Sequence, residues 1–239
     1  MIDAAIAKIR RRDDLGAAEE AAIRGAVGEI VTYAPRSTVV RRGEELGYSC
    51  ILISGFLGRY KDLSDGQRQI TEIHVPGDFA DLHSFTLKHL DHSIMALTAC
   101  RIARVPHHRL VAITEQLPHL TRIFWFGTNL DACIHREWEV SLGRRNAIQR
   151  TAHLLCELQA RLEVVGLGDE RGFALPITQA ELSECLGLTP VHVNRVLREL
   201  REGGLCEFRG GQVMISNLKG LRGTAEFDPG YLYLEKRQR

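Results

Sequence analysis

Residues 175–221 read LPITQAELSECLGLTPVHVNRVLRELREGGLCEFRGGQVMISNLKGL. Thr178 and Glu181 have the spacing of a capping box, in which each residue satisfies a backbone N–H group of the other. Gly187 is placed to end this first helix, because glycine adopts the left-handed conformation at low cost. The Thr-Pro pair at 189–190 then starts a second helix, since proline suits the first helical turn. Two short helices joined by a tight glycine turn predict a helix-turn-helix.

The segment that follows, 207–215, has Gly210 and Gly211 at its centre, a pair that is typical of a tight β-hairpin turn. We interpret this hairpin as a wing beside the helix-turn-helix. The alternative is an ordinary helical hairpin whose arginines form a solvated face. The cap, the turn, the helix spacing and the wing together favour a DNA-binding motif.

Upstream, residues 29–105 consist of short runs rich in Val, Ile and Thr that glycines separate. Many short strands at this spacing predict a small antiparallel barrel or roll. Asp65-Gly66 predicts a hairpin with a type I′ turn, which needs positive φ angles. The predicted strands are 29–34, 38–41, 50–54, 56–62, 67–75, 93–99 and 101–105.

The remaining segments favour helices. Residues 3–26 are rich in alanine, and after Pro106 the periodicity becomes helical again, with a short helix at 107–116 and a longer one at about 118–142. The long helix carries apolar residues at spacings of three and four, which is typical of a coiled-coil seam. We interpret this stripe as a dimer interface; the alternative is packing on the core of its own domain. The predicted interface consists of Leu120, Ile123, Phe124, Gly127, Leu130, Ile134 and Trp138.

Gly143 interrupts this pattern and predicts two domains, residues 1–143 and 144–239, in an α+β fold. A further helix is expected at 145–162. The stretch from Phe227 onward turns polar and charged and is expected to form a loose tail.

Composition limits the functional classes. The net charge is only +1, so any basic surface that contacts nucleic acid must be local. The apolar runs are too short for a membrane span or a signal peptide, so we expect a cytoplasmic protein with no membrane partner. The six cysteines are scattered without C-x-x-C spacing, which favours small buried side chains over a metal site. No catalytic motif is present, so we expect no enzyme; a regulator that only dimerises is a further alternative, against which exposed Arg195 and Arg198 count.

The segment 175–221 closely resembles the DNA-binding domain of the cyclic-AMP receptor / fumarate-nitrate regulator (CRP/FNR) family. The upstream order is also similar, with YSCILISGFLGRYK and HVPGDF in the roll followed by the long helix. The resemblance implies an N-terminal β-roll like a cyclic-nucleotide-binding domain, a long dimerisation helix and a C-terminal winged helix-turn-helix. It further implies a bacterial homodimer that binds a palindromic operator in double-stranded DNA and regulates transcription, with RNA polymerase as an expected partner.

The resemblance also assigns DNA-reading positions. Arg195 occupies the position of the family's guanine-reading arginine. Many members have a glutamate four residues earlier that reads cytosine; Val191 stands there and cannot accept a hydrogen bond, while Pro190 replaces a family arginine. We therefore expect a half-site that differs from the best-known ones. The predicted DNA contacts are Thr178, Gln179, Thr189, Val191, His192, Asn194, Arg195, Arg198 and Arg209.

The effector stays open. Cyclic-nucleotide-binding members carry a Gly-Glu-Leu segment and a phosphate-binding arginine after the PGD-F turn, but this chain has no such segment and no arginine between Gln69 and Arg101. We therefore expect no cyclic AMP binding. We also expect no iron–sulfur cluster, because the first cysteine is Cys50.

The alternative is a haem- or metal-dependent sensor of the same family. His83 stands close to the position of a haem-ligating histidine in the family's carbon monoxide sensor, and His92 is a second candidate ligand. Asp81 stands at the position of that sensor's alternate cysteine ligand and is a poor substitute. Histidines on an ordinary loop explain the same pattern.

Overall fold

The computed structural model describes residues 1–239. The chain forms two compact units. The roll unit comprises Met1–Tyr60, Ile73–Ala132 and Tyr233–Arg239, and the winged unit comprises Lys61–Glu72 and Cys133–Leu232. No helix combines the length and the apolarity that a membrane crossing requires.

The N-terminal part of the chain forms two helices, α1 (Asp3–Arg12) and α2 (Ala17–Ala26), ahead of two antiparallel sheets. These sheets lie in the roll unit except for residues 61–72 of the β4–β5 hairpin. One sheet has the order β1-β7-β3 and the other β2-β6-β4-β5. All seven predicted strands are present, with ends that differ by a few residues. They are β1 (Glu29–Tyr33), β2 (Thr38–Val40), β3 (Tyr48–Ser54), β4 (Leu57–Asp62), β5 (Arg68–His74), β6 (Ser93–Ala96) and β7 (Cys100–Pro106).

The β4–β5 hairpin is present, but its turn is not the predicted type I′. Gly66 has a φ of +84°, whereas Asp65 is not among the residues with positive φ. The Gly66 N–H donates to the Leu63 carbonyl, and the Leu63 N–H to the Gln67 carbonyl. The loop therefore has three residues and ends on a left-handed glycine, which is the next most common hairpin geometry.

Three further helices complete the description of the roll unit and its exit. They are α3 (Ser84–Leu87), α4 (His107–Gln116) and the 27-residue α5 (Pro118–Arg144). Helix α5 passes without interruption through Gly143, and the two units divide inside it, between Ala132 and Cys133. The predicted boundary after residue 143 lies later because the C-terminal half of α5 already belongs to the winged unit, where Trp138 hydrogen-bonds Glu157.

The winged unit is built on α6 (Ala147–Glu163), in which every residue from 151 to 162 is buried. The predicted helix-turn-helix forms as α7 (Gln179–Leu186) and α8 (Pro190–Glu202), and the wing as β10 (Cys206–Arg209) and β11 (Gln212–Ile215). The sequence did not predict β8 (Gly168–Asp169), β9 (Gly172–Ala174) or α9 (Leu218–Ala225). Strands of two or three residues are too short to show a period. They extend the wing into a sheet of order β10-β11-β9-β8.

The prediction of a loose tail is wrong. Residues Pro229–Leu232 form a 3-10 turn, and the Tyr231 hydroxyl donates to Glu157 Oε2 at 2.8 Å. From Tyr233 the chain belongs to the roll unit, where the Arg239 guanidinium lies 3.6 Å from the centre of the Phe126 ring. The Arg239 N–H donates to the buried Asp13 carboxylate at 3.1 Å.

Candidate nucleic-acid interface

The helix-turn-helix is fixed by the local interactions that the sequence predicted. Thr178 Oγ1 accepts from the Glu181 N–H at 3.1 Å, and the Thr178 N–H donates to Glu181 Oε2 at 2.7 Å. Gly187 ends α7 in the left-handed conformation with a φ of +59°. Thr189 Oγ1 accepts from the His192 N–H and caps α8, which begins at Pro190. These caps satisfy N–H groups that would otherwise have no partner inside their helices.

Helix α8 divides into a buried and an exposed face. Val193, Val196, Leu197 and Leu200 are buried against the rest of the winged unit. The opposite face carries Val191, which is 80% exposed, together with Asn194, Arg195 and Arg198. The N-terminal end of this face is the part that enters the major groove in helix-turn-helix proteins.

Arg195 is held along the surface of α8. Its Nη2 donates to His192 Nε2 at 2.8 Å, and its Nε lies 3.7 Å from Glu199 Oε1. The pair places a guanidinium with five N–H donors beside an imidazole, and both side chains are in reach of solvent. This arrangement can present two donors in parallel to guanine O6 and N7.

The wing tip has the two-residue turn that the sequence predicted. Gly210 and Gly211 have φ values of +60° and +74°, as a type I′ turn requires. Arg209 pairs with Gln212 as the last strand pair before the turn, and it is exposed. The guanidinium of Arg209 is therefore placed where a wing can meet a phosphate.

The structure separates the predicted DNA contacts by availability. Thr178 uses its hydroxyl twice inside the cap, since it also donates to Glu181 Oε2 at 2.8 Å, so this hydroxyl is engaged within the protein. Thr189 keeps its hydroxyl proton for another partner. The exposed members are Thr178, Gln179, Thr189, Val191, Asn194, Arg195, Arg198 and Arg209, and His192 is half-buried.

The predicted stripe on α5 lies mostly inside the chain. Leu120, Ile123 and Phe124 belong to the core of the roll unit, where Phe124 packs edge-to-face on Phe79. Ile134 and Trp138 are buried, and Gly127 and Leu130 are half-buried. The stripe therefore marks the face of α5 that packs within its own chain, because a helical period shows only that a face is buried and not what covers it.

A second stripe on α5 stays exposed. Trp125 is 68% exposed and Val140 is 45% exposed, and between them Asn129, Ala132 and Arg136 are also exposed. Their spacings of three and four residues place them along one face. This stripe has few apolar members, so hydropathy alone did not reveal it. Trp125 is its one aromatic residue and could have drawn attention to this face.

No group of three or more His, Cys, Asp or Glu side chains is arranged to hold a metal ion. The rings of His83 and His92 lie 5.5 Å apart, and His92 Nδ1 lies 2.9 Å from Asp91 Oδ1. All six cysteines are free, and five of them are buried.

The roll contains a buried carboxyl group that the sequence analysis did not single out as titrating. Asp81 is fully buried, and its Oδ1 accepts from the Cys50 N–H at 2.5 Å. Burial raises the pKa of Asp81 to about 7, although the Cys50 N–H and the Arg59 guanidinium favour the ionised form. Its other oxygen, Oδ2, is buried without a hydrogen-bond partner.

These residues do not fit a cyclic nucleotide. A phosphate in the roll needs a cationic partner. Arg59 is buried, and its Nη2 donates to the Ala80 carbonyl at 2.8 Å and to Asp131 at 3.2 Å, so its charge is already compensated.

Comparison with known proteins supports this architecture along most of the chain. Residues 30–116 match the cyclic nucleotide-binding domain family, and residues 149–224 match the Crp-like helix-turn-helix domain family. The transcriptional activator protein anr of Pseudomonas aeruginosa is 27% identical over 73% of this chain and 71% of its own length.

Two further relatives are FixK proteins. The nitrogen fixation regulation protein FixK of Bradyrhizobium diazoefficiens is 31% identical over 166 residues, which cover 67% of each chain. The structure of FixK2 from Bradyrhizobium japonicum superposes with a TM-score of 0.75 and 26% identity, covering 83% of this chain and 97% of that one. These relatives are regulators rather than enzymes, and the exposed reading face of α8 agrees with them: this protein is a DNA-binding transcription regulator of the CRP/FNR family.

Proposed function

We propose that this regulator binds an inverted repeat in double-stranded DNA as a homodimer, with α8 of each copy in a major groove. The observation that carries the proposal is the open face of α8, on which Arg195 and His192 are hydrogen-bonded side by side at its N-terminal end. Each copy reads one half-site, and the half-sites lie about one helical turn apart, roughly 10 base pairs.

Base reading is assigned to the exposed side chains of α8. Arg195 reads guanine, for which it must leave Glu199, at present 3.7 Å away. Val191 offers a methyl surface that suits the thymine C5-methyl group and cannot accept from a cytosine amine. Asn194 stands on the same exposed face and suits adenine. Arg198 lies one turn further along, and Arg209 is at the wing, so both contact the phosphate backbone.

The dimer forms through the exposed stripe of α5, Trp125 to Val140, rather than through the stripe predicted from hydropathy. The support is an unusually exposed tryptophan on a long helix, with small Ala132 a further two turns along the same face. A small residue permits close approach of two helices, and an aromatic residue supplies apolar area.

The effector is not cyclic AMP in this proposal. Arg59, a buried arginine whose guanidinium reaches Ala80 beside the roll's PGDF turn, is engaged by Asp131 and the Ala80 carbonyl. The haem alternative depends on His83 as a ligand, and the proximity of His92 is the one observation that favours it. An absorption spectrum of freshly purified protein tests it: a Soret band that vanishes in His83→Ala supports haem, and no such band excludes it. We further propose that the protein acts in the cytoplasm and contacts RNA polymerase at its promoters.

Selection from random DNA tests the proposal, combined with sedimentation of the free protein. We expect an enriched inverted repeat with a guanine in each half-site and a dimer at micromolar concentration. Enrichment of a single half-site, or no enrichment, would contradict the proposed mode of binding.

A further inference from the structure

The C-terminal end of α7 is held by side chains from outside the helix-turn-helix. The last carbonyl groups of a helix have no partner within it. Here Gln69 Nε2 donates to the Glu184 carbonyl at 2.7 Å and lies 3.3 Å from the Cys185 carbonyl. Arg150 Nη1 donates to the next carbonyl, that of Leu186, at 2.5 Å. Gln69 Nε2 also donates to the Ile70 carbonyl at 2.8 Å. Two side chains thus satisfy the Glu184 and Leu186 carbonyls beside the turn.

Arg150 connects this end of α7 to the end of α5. Its Nε donates to the Ser141 carbonyl at 2.9 Å and its Nη2 to the Leu142 carbonyl at 3.0 Å. One guanidinium therefore fixes the ends of two helices. Arg150 lies near the first turn of α6. The same side chain therefore contacts both the C-terminal end of α5 and the helix-turn-helix.

Gln69 comes from a different part of the chain, the hairpin Lys61–Glu72 that belongs to the winged unit. The hairpin is anchored there a second time by Glu72, which is fully buried. Its carboxylate lies 3.2 Å from His135 Nε2 and 3.7 Å from Arg161 Nη2. The division between the two units falls inside β5 (Arg68–His74), after Glu72.

The glycine of the turn is packed against the same groups. A Cβ atom on Gly187 would lie 3.3 Å from Leu142 Cδ2, 3.4 Å from Gln69 Oε1 and 3.6 Å from Arg150 Nη1. Helix α8 starts three residues later, at Pro190. A shift of Gln69 therefore moves the turn from which the recognition helix starts.

We propose that Gln69 is a positioning residue for DNA reading: it holds the end of α7 so that α8 is presented in its DNA-competent placement. The inference rests on the proposed function. In the held form the reading face of α8 is uncovered, with Val191 80% exposed, so this form is open to DNA. Holding a binding element in advance removes part of the ordering cost from the binding step.

The test compares Gln69→Glu with Gln67→Glu. The first change puts a carboxylate oxygen against the carbonyls of residues 184 and 185, whereas Gln67 is exposed on the same hairpin and undergoes the same change of charge. We expect operator affinity to fall roughly tenfold in Gln69→Glu, which is the scale of one lost hydrogen bond with its acceptors left unpaired, and to stay within about twofold in Gln67→Glu.

Two further readouts separate positioning from simple loss of fold. Base preference should be unchanged in Gln69→Glu, because residue 69 contacts no base, while backbone amides at 185–193 should exchange faster with solvent. Gln69→Lys, which keeps a donor, should restore affinity. Equal affinity of Gln69→Glu and wild type for the selected DNA would overturn the positioning role alone. Failure of the wild type to select any DNA would instead overturn the proposed function.

Discussion

The winged unit carries an exposed polar face on α8, whereas the polar groups around Asp81 in the roll unit are buried. In the winged unit, Arg195 and Arg198 face solvent on a helix whose apolar residues are buried. In the roll unit, Arg59, Asp81 and His107 are buried, and each forms a hydrogen bond with another residue of that unit. His107 Nε2, for example, lies 3.2 Å from the buried Ser49 hydroxyl. The winged unit also buries charged groups, such as Glu72 and Arg161, but the polar face of α8 that it turns to solvent is its candidate contact with DNA.

The reading face of α8 follows local rules of helix capping and periodicity, whereas the buried polar groups of the roll unit depend on contacts distant in sequence. The pair Cys50–Asp81 is 31 residues apart, and Arg59–Asp131 is 72 apart. The exposed pair His192–Arg195 is separated by a single helical turn.

We expect the largest change in operator affinity from substitutions on the exposed face of α8. Arg195→Ala removes the guanine-reading donors and should cost about 1–3 kcal/mol of operator binding in each half-site, with relaxed preference at that base pair. Arg198→Ala, the matched control one turn away, should weaken all sequences equally and lower the salt dependence. Selection from random DNA with both variants measures this. Unchanged base preference in Arg195→Ala would remove the reading role from this residue.

The next effect concerns the exposed stripe of α5. Trp125→Asp should put an uncompensated charge in the dimer interface and weaken dimerisation by roughly 3 kcal/mol or more. Leu87→Asp is the control, since Leu87 is an apolar residue of the roll unit that is 56% exposed and lies outside α5. Sedimentation equilibrium gives both dimer constants. A dimer that survives Trp125→Asp intact would place the interface elsewhere.

The buried carboxyl group of Asp81 in the roll unit predicts that the stability of the protein depends on pH. Burial raises the pKa of Asp81 from 3.8 to about 7, so its neutral form favours folding. The stabilisation is present below pH 3.8 and is lost as the pH rises through about 7. Asp81→Asn keeps an acceptor for the Cys50 N–H and does not ionise. At pH 8 it should be more stable than wild type by on the order of 2 kcal/mol, and near pH 4 the gain should vanish.

Urea unfolding followed by circular dichroism at pH 4.5, 6.5 and 8 measures this gain. Glu45→Gln, a change at an exposed carboxylate, is the control and should leave the profile unaltered. An Asp81→Asn profile parallel to that of the wild type would show that the buried carboxyl does not titrate in this range.

The winged unit should show the opposite slope. Burial, followed by the charge of Arg145, lowers the pKa of His153 from 6.5 to about 4. Its neutral form favours folding, so stability is present above pH 6.5 and is lost as the pH falls toward 4. His153→Phe keeps ring contacts with Phe227 and Tyr231 and cannot be protonated. It should flatten the acid side of the profile, by on the order of 1 kcal/mol at pH 5.

The fluorescence of Trp138, which lies in the winged unit, follows this transition in a Trp125→Phe background. His108→Gln replaces an exposed histidine and serves as the control. Equal acid sensitivity of His153→Phe and wild type would assign the acid transition to another group.

The sequence was sufficient for the parts of the fold that short-range chemistry decides. The cap at Thr178, the left-handed Gly187 and the wing turn at Gly210 were all predicted, because each requires only neighbours within a few residues. The seven strands of the roll followed from their composition. The DNA-reading roles of α8 remain predictions.

The sequence did not show which residues cover the apolar face of α5, nor which residues pair with each buried charge. The stripe at Leu120 and Ile123 was correctly apolar, but the roll's own core covers these two residues, and the helical period alone did not show this. Gln69 and Arg239 were not singled out because their contacts lie 115 and 226 residues away, at Glu184 and Asp13. No local pattern encodes contacts of that range.

Each compact unit of this regulator contains residues from both sides of the division at Ala132. A cut after Ala132 would give two fragments, and each would carry a piece of the other's unit. The first would keep the hairpin Lys61–Glu72, which belongs to the winged unit, and the second would keep Tyr233–Arg239, which belongs to the roll unit. Each fragment therefore supplies the other with missing side chains, Gln69 and Glu72 in one direction and Arg239 in the other. Neither fragment therefore contains all the residues of either unit.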